Sequence, residues 1–206
     1  MTADGRRRAR AVFLDRDGTI NREVDYLRRV EDLEILPGAA EGVRLLNRAG
    51  FKVVVVTNQS GIARGLLDPG RLRQIHQEIQ RRLSEKGAAI DAWYYCPHHP
   101  EAGPGGKRGP YTKVCRCRKP APGMIEQAAK DLDLDLSSSF MVGDSLRDLE
   151  TAWAAGVRAV LVRTGYGSDT LARLRQAGGK APDFVAEDLL EAASWIASEA
   201  KGRHWD

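Results

Sequence analysis

A chain of 206 residues, 42% hydrophobic and 29% charged, has the composition of one folded globular domain with a core of its own. No apolar run approaches the ~20 residues of a membrane span, and three cysteines in a chain this long do not make a disulfide framework. The formal charge of +4 suits an anionic small substrate. Nucleic-acid binding would rest on "GRRRAR" (5–10), which has no interleaved aromatic residue and no second basic run to continue it.

Residues 1–10 read as a flexible basic tail. The apolar run after it, "AVFL", is too short for a secretory signal, so the expected location is the cytoplasm. "AVFLD" (11–15) is the first of five short, breaker-bounded apolar runs that read as buried strands. The others are "VVVVT" (53–57), "IDAWYY" (90–95), "FMVGD" (140–144) and "AVLVRT" (159–164), and "DFVA" (183–186) suggests an edge strand. Helical patterns lie between them. One covers 38–49 and is closed by Gly50, and a second covers 69–86, entered at Asp68-Pro69 and closed by Gly87. Others fall near 122–131, 146–155 and 187–200. Residues 97–114, rich in Pro and Gly, read as a loop. This alternation predicts a single α/β domain over 11–200, a Rossmann-like parallel sheet with helices on both faces. Asp15, Thr57 and Asp144 all fall at carboxyl ends of predicted strands, where open α/β sheets bind their ligands.

Four short stretches carry the chemistry. In "DRDGT" (15–19) a buried strand ends in two acids, Asp15 and Asp17, whose charges burden each other unless a cation lies nearby. "TNQSG" (57–61) can open an anion-binding turn of backbone N–H groups. "CRKP" holds Lys119 before a proline, and "GDSLRD" places Asp144 and Asp148 one helical turn apart. Singly, each has a plainer reading: a turn, a strand–loop junction, a solvated lysine, a helix cap. Together, in this order and at these strand ends, they resemble the haloacid dehalogenase-like (HAD) phosphohydrolase superfamily.

That resemblance implies a phosphatase acting on a small phosphorylated sugar, working as a monomer with neither nucleic acid nor membrane as partner. It implies Mg²⁺ held by the carboxylates of Asp15 and Asp144 and the backbone carbonyl of Asp17. Asp15 would be the nucleophile and Asp17 the general acid and base. Thr57 and Lys119 would hold the transferring phosphoryl group, with Asn58, Gln59, Ser60 and Arg118 contacting substrate. Asp148 would orient Lys119 or a metal-bound water.

"CPHHP" (96–100) and "CRC" (115–117) make a Cys-x-His…Cys-x-Cys set, which fits a closed tetrahedral Zn²⁺ site of Cys96, His98, Cys115 and Cys117, with His99 as the alternative to His98. With "YYCPHHP" and "CRCRKPAPGM" added, the resemblance narrows to the HAD branch of heptose-bisphosphate and histidinol-phosphate phosphatases. There zinc pins a loop over the active site, and here that loop delivers Arg118 and Lys119. Arg118 with Lys107, Arg108, Lys113 and Arg116 could make a second anion site, as a sugar bisphosphate would need. Two readings remain beside the heptose one: a histidinol-phosphate phosphatase, and a zinc-stabilised nucleic-acid-binding module.

Overall fold

The computed structural model describes residues 8–101 and 108–202. Six strands form one wholly parallel sheet: β1 (Ala11–Leu14), β2 (Lys52–Asn58), β3 (Ala92–Cys96), β4 (Phe140–Gly143), β5 (Arg158–Val162) and β6 (Phe184–Ala186), in spatial order β3-β2-β1-β4-β5-β6. Side chains alternate across the pleat, so each central strand feeds two cores. Val12, Leu14, Val53, Val55, Val142 and Val160 face one side, under helices α1 (Ala39–Arg48), α2 (Pro69–Ser84) and α6 (Leu189–Gly202). Phe13, Val54, Val56, Met141 and Leu161 face the other, under α3 (Gly123–Asp131) and α4 (Leu146–Ala155). Burial on both faces is why these strands read as continuous apolar runs.

The third strand starts later than the sequence suggests, at Ala92, and runs on to Cys96. Asp91 stays outside it: its carboxylate accepts from Val53 N at 2.9 Å and Lys52 Nζ at 2.7 Å, tying off the sheet edge. A further helix, α5 (Gly167–Ala177), was not expected from the sequence. Its buried positions are Gly167 and Thr170, and Leu171 and Leu174 are only partly covered, so it carries no apolar stripe to read.

Residues 8–10, assigned to the tail, are instead packed. Asp135 N donates to Ala9 O at 2.8 Å, Arg8 pairs with Asp133 at 3.0 Å, and the Arg10 guanidinium lies 4.5 Å from the centre of the Phe51 ring. The rest of the predicted tail, 1–7, lies outside the described residues, as does Lys107. No helix among the described residues is long and apolar enough to cross a membrane.

The chain leaves β1 to build β2 and β3 on one side, then returns to place β4 on the other. The crevice beyond the carboxyl ends of β1 and β4 is therefore the topological switch point of the sheet.

Candidate active site

Asp15 directly follows β1, and its N–H still donates to Val142 O at 2.9 Å, so the sheet ladder fixes its backbone. Asp144 directly follows β4 and accepts from Tyr166 N at 2.8 Å. Two loops close over it where neither can carry a side chain. Gly18 (φ +78°) and Gly165 (φ +56°) would each put a Cβ 2.0 Å from Asp144 Oδ2. The loops are joined by Thr164 Oγ1 donating to Gly18 O at 2.6 Å.

Lys119, 2% exposed, bridges Asp15 Oδ1 at 2.9 Å and Asp148 Oδ1 at 2.6 Å. Asp148 does two jobs. One oxygen holds the lysine, and the other accepts from Ser145 N (3.0 Å) and Ser145 Oγ (2.6 Å), closing a capping box at the start of α4. Asp148 thus contacts Lys119 directly.

Asp15, Asp144 and Asp148 offer carboxylate oxygens all within 4.8 Å of one another. Burial, countered in part by Lys119 but reinforced by Asp148 and Asp17, pushes the Asp15 carboxyl up to about 7. Burial and then Asp15 and Asp148 push Asp144 up to about 8. One lysine does not discharge this cluster. Its donors are hard oxygens converging at a sheet edge, and they fit a divalent cation such as Mg²⁺.

Asp17 points elsewhere. Its carboxylate is gripped by the Arg16 guanidinium (2.7 and 2.8 Å from Nη2), by Asn21 Nδ2 (2.9 Å) and by Gln59 Nε2 (2.9 Å). Burial alone would raise its pKa, but Arg16 and these donors outweigh burial and hold it below the usual carboxylate range. Arg16 is 1% exposed, and its Nη1 donates to His76 Nε2 at 3.4 Å. His76 in turn stacks on Trp93, with ring centres 4.4 Å apart. Burial and the adjacent guanidinium push His76 down to about 3, so it accepts from Arg16 as a neutral imidazole.

Sequence reasoning missed Arg16, Asn21 and His76. The signal for His76 was a histidine inside the buried stripe of α2, beside Leu72, Ile75 and Ile79.

The "TNQSG" segment is held by hydrogen bonds of its own amides. Asn58 exchanges two hydrogen bonds with the Lys119 backbone. Gln59 Nε2 donates both to Asp17 and to Thr57 Oγ1, the latter at 3.0 Å. The amides therefore brace catalytic candidates, and Asn58, Gln59, Ser60 and Arg118 all line the adjoining cavity together with Asp17. Arg116 pairs with Glu126 at the surface, 3.4 Å away, and Arg108 and Lys113 are exposed; among the described residues, none of these three lines the cavity with Arg118.

Cys96, His98, Cys115 and Cys117 converge. The three Sγ atoms lie 3.3, 3.3 and 3.5 Å apart, and His98 Nδ1 is 3.3 Å from Cys117 Sγ and 3.7 Å from Cys96 Sγ. A tetrahedron with metal–sulfur bonds of about 2.3 Å has sulfur–sulfur edges of ~3.8 Å, close to these spacings. His99 lies outside the set and meets Arg64 Nη2 through Nε2 at 3.2 Å. Arg118 Nη1 donates to His98 O at 3.2 Å, tying the cluster to the chain entering the active site.

Residues 116–192 match a HAD-hydrolase-like family model. The chain is 43% identical over 196 residues, 94% of its length and 98% of the relative, to the D-glycero-D-manno-heptose-1,7-bisphosphate 7-phosphatase of Thermosynechococcus vestitus. It is 44% identical over 156 residues, 75% of this chain and 80% of the other, to the corresponding β-anomer enzyme of Escherichia coli. The crystal structure of D,D-heptose 1,7-bisphosphate phosphatase from B. bronchiseptica, complexed with magnesium and phosphate, superposes with a TM-score of 0.80 at 39% identity, covering 92% of this chain and 99% of that one. At these identities and coverages, this chain belongs to the heptose-bisphosphate phosphatase family of HAD-like hydrolases.

Proposed function

We propose that this chain hydrolyses the C7 phosphate of D-glycero-D-manno-heptose 1,7-bisphosphate through an aspartyl-phosphate on Asp15. The observation that carries the reading is the Asp15–Lys119–Asp148 chain at the sheet's switch point, with Asp144 alongside. Relatives acting on that substrate cover nearly the whole chain and support it.

Asp15 is the one acid here placed by the sheet ladder itself, which suits an atom that must attack phosphorus in line. Lys119 is held charged by Asp148 and Asp15 despite its burial, so it meets the phosphoryl oxygens as a cation. Thr57 Oγ1, which accepts from Gln59, keeps its own proton to donate to a phosphoryl oxygen. Asp15, Asp144 and the Asp17 carbonyl would hold Mg²⁺, which would supply charge neutralisation for the transferring group.

Arg16 holds the Asp17 pKa low and so favours its carboxylate, the form that accepts a proton from water when the acyl-phosphate is hydrolysed. The first half-reaction starts from the protonated carboxyl, which gives that proton to the leaving alkoxide. Ser60 and Arg118 contact the sugar or its second phosphate.

Cys96, His98, Cys115 and Cys117 would hold Zn²⁺ in a structural role. Lys119 lies two residues beyond Cys117, so such a metal would set where the lysine enters. The enzyme acts as a monomer in the cytoplasm, with no nucleic-acid partner.

Steady-state rates on a panel of phosphate esters, with Mg²⁺ and after chelation, test the reading. The heptose bisphosphate should lead, and chelation should abolish turnover. A preference for histidinol phosphate, or full activity without a divalent ion, overturns it.

A further inference from the structure

Arg16 stands between two acids, and its side chain serves only one of them. Its backbone N–H donates to Asp15 Oδ1 at 2.6 Å, but its guanidinium turns to Asp17. Nε donates to Asp17 Oδ1 at 3.1 Å, and Nη2 reaches both carboxylate oxygens, at 2.7 and 2.8 Å. Only a planar guanidinium makes a grip of this shape. With Asn21 and Gln59 also donating, the roughly four acceptor directions of the Asp17 carboxylate are all taken. The arginine stem carries much rotamer freedom, so a guanidinium between two carboxylates needs a third contact to choose one of them.

That contact is His76. Arg16 Nη1, the nitrogen that Asp17 does not use, donates to His76 Nε2 at 3.4 Å. His76 lies on the buried face of α2, and its ring is fixed from the sheet. It stacks on Trp93 with the planes 22° apart and meets Tyr95 edge-on, ring centres 6.2 Å apart. Trp93 and Tyr95 are two apart on β3 and so share one face of the sheet. As a neutral imidazole, His76 offers Arg16 an acceptor and holds the guanidinium on the side of Asp17. The other buried side chains of the α2 stripe are Leu72, Ile75, Ile79 and Leu83. Burying a polar ring among them costs stability that a leucine would not, and what the ring gains there is its bond to Arg16.

We infer that His76 and Arg16 are positioning residues for the acid–base group: His76 turns the guanidinium of Arg16 onto Asp17, and Arg16 sets the direction in which Asp17 meets the leaving oxygen. The inference rests on the phosphatase reading above and adds to it which residues aim the proton donor. Proton transfer depends on direction as well as distance, and a misplacement of about 1 Å caused by a remote change can cost ~10²-fold in rate. The same arrangement keeps the guanidinium off Asp15, whose side chain is left to Lys119 and to the attack on phosphorus. A residue on α2 thereby acts on the chemistry without reaching the substrate.

The test is kcat/KM, measured with Mg²⁺, for the heptose bisphosphate and for phenyl phosphates graded from unsubstituted to 4-nitro. A 4-nitrophenolate departs without a proton, whereas phenolate and a sugar alkoxide need one, so only the aim of the acid separates these esters. His76→Leu suits the apolar stripe of α2, and its melting temperature checks the fold. It should lose about tenfold on the sugar and on phenyl phosphate, shrinking toward roughly twofold on the 4-nitro ester. His76→Gln retains an acceptor for Arg16 and should recover part of that loss. Arg16→Lys keeps the charge but not the fork; it should show the same gradient and decides the matter if His76→Leu does not fold. Asp17→Asn should show the gradient most steeply. Equal losses on every ester, or none, in His76→Leu and Arg16→Lys overturn the positioning role and leave Asp17 as the acid. A level response in Asp17→Asn overturns the acid assignment and the inference with it.

Discussion

Asn58 and Lys119, 61 residues apart, hold each other by both faces of one amide: Asn58 Nδ2 donates to Lys119 O at 3.1 Å, and Lys119 N donates to Asn58 Oδ1 at 3.0 Å. The pairing ties the end of β2 to the backbone of the lysine that reaches Asp15. It joins two motifs that look independent in the sequence.

Asn58→Ala should therefore damage catalysis through Lys119. It leaves two backbone groups unpaired, at about 1–3 kcal/mol each in the folded state. The expected outcome is a lower melting temperature and a fall in kcat larger than the rise in KM. Asn58→Asp keeps the acceptor but sets a carboxylate against Lys119 O, and should rescue little. A variant with altered KM and parental kcat would place Asn58 at the substrate instead.

Asp15→Asn should keep the fold, since it removes a charge from a crowded acidic cluster, and lose turnover by about three orders of magnitude or more. Asp17→Asn should slow the reaction by roughly 10²–10⁴-fold, because the leaving group then lacks its proton. Acid-quench trapping of a phosphorylated chain separates the two roles. Label should be absent from the Asp15 variant, and its appearance there would remove Asp15 from the nucleophile's place.

Protein purified without chelator should carry one Zn²⁺ per chain. Cys115→Ser should lose it and reduce activity about tenfold or more by loosening the approach to Lys119. Metal analysis and activity measured on the same preparation check this. Full activity after all three thiols are blocked would show that the cluster does not support the site.

His76 makes an acid-labile brace. Its folded-state pKa of about 3 lies below the unfolded value near 6.5. Between those values the unfolded chain binds the extra proton, so stability rises with pH. It is fully present above about 6.5 and is lost as pH falls toward 3. His76→Phe keeps the stacking on Trp93 and removes the titration. Melting temperatures of the variant should fall less than the parent's between pH 6.5 and 5, above the range where most carboxylates protonate. Parallel curves would exclude His76 as the source.

Much of this architecture was legible because its signals are local. A buried parallel strand is an apolar run, and an acid ending it stands out, so Asp15 and Asp144 could be placed before any fold was known. The thiol cluster was legible because its ligands come in two tight pairs. Arg16 gave no such sign. An arginine between two acids looks like solvent-exposed charge, yet tertiary packing buries it against His76. The employment of Asn58 depends on contacts between segments far apart in sequence. Helix α5 escaped because glycine and threonine, rather than large apolar residues, occupy its covered face.

The central strands carry a further consequence for how activity is acquired. Ala11 N donates to Ser139 Oγ at 2.9 Å across 128 residues, and β1 lies beside β4 in parallel register, Leu14 opposite Val142. Loop closure over such a span is entropically costly and slow to find, so pairing of β1 with β4 is among the late events on the folding path. Asp15 and Asp144 stand together only after it. An amino-terminal fragment still emerging during synthesis can complete β1, β2 and β3 with their helices and yet hold no cluster of acids. Recovered turnover during refolding would then report closure of the two halves of the sheet, trailing the return of helical signal.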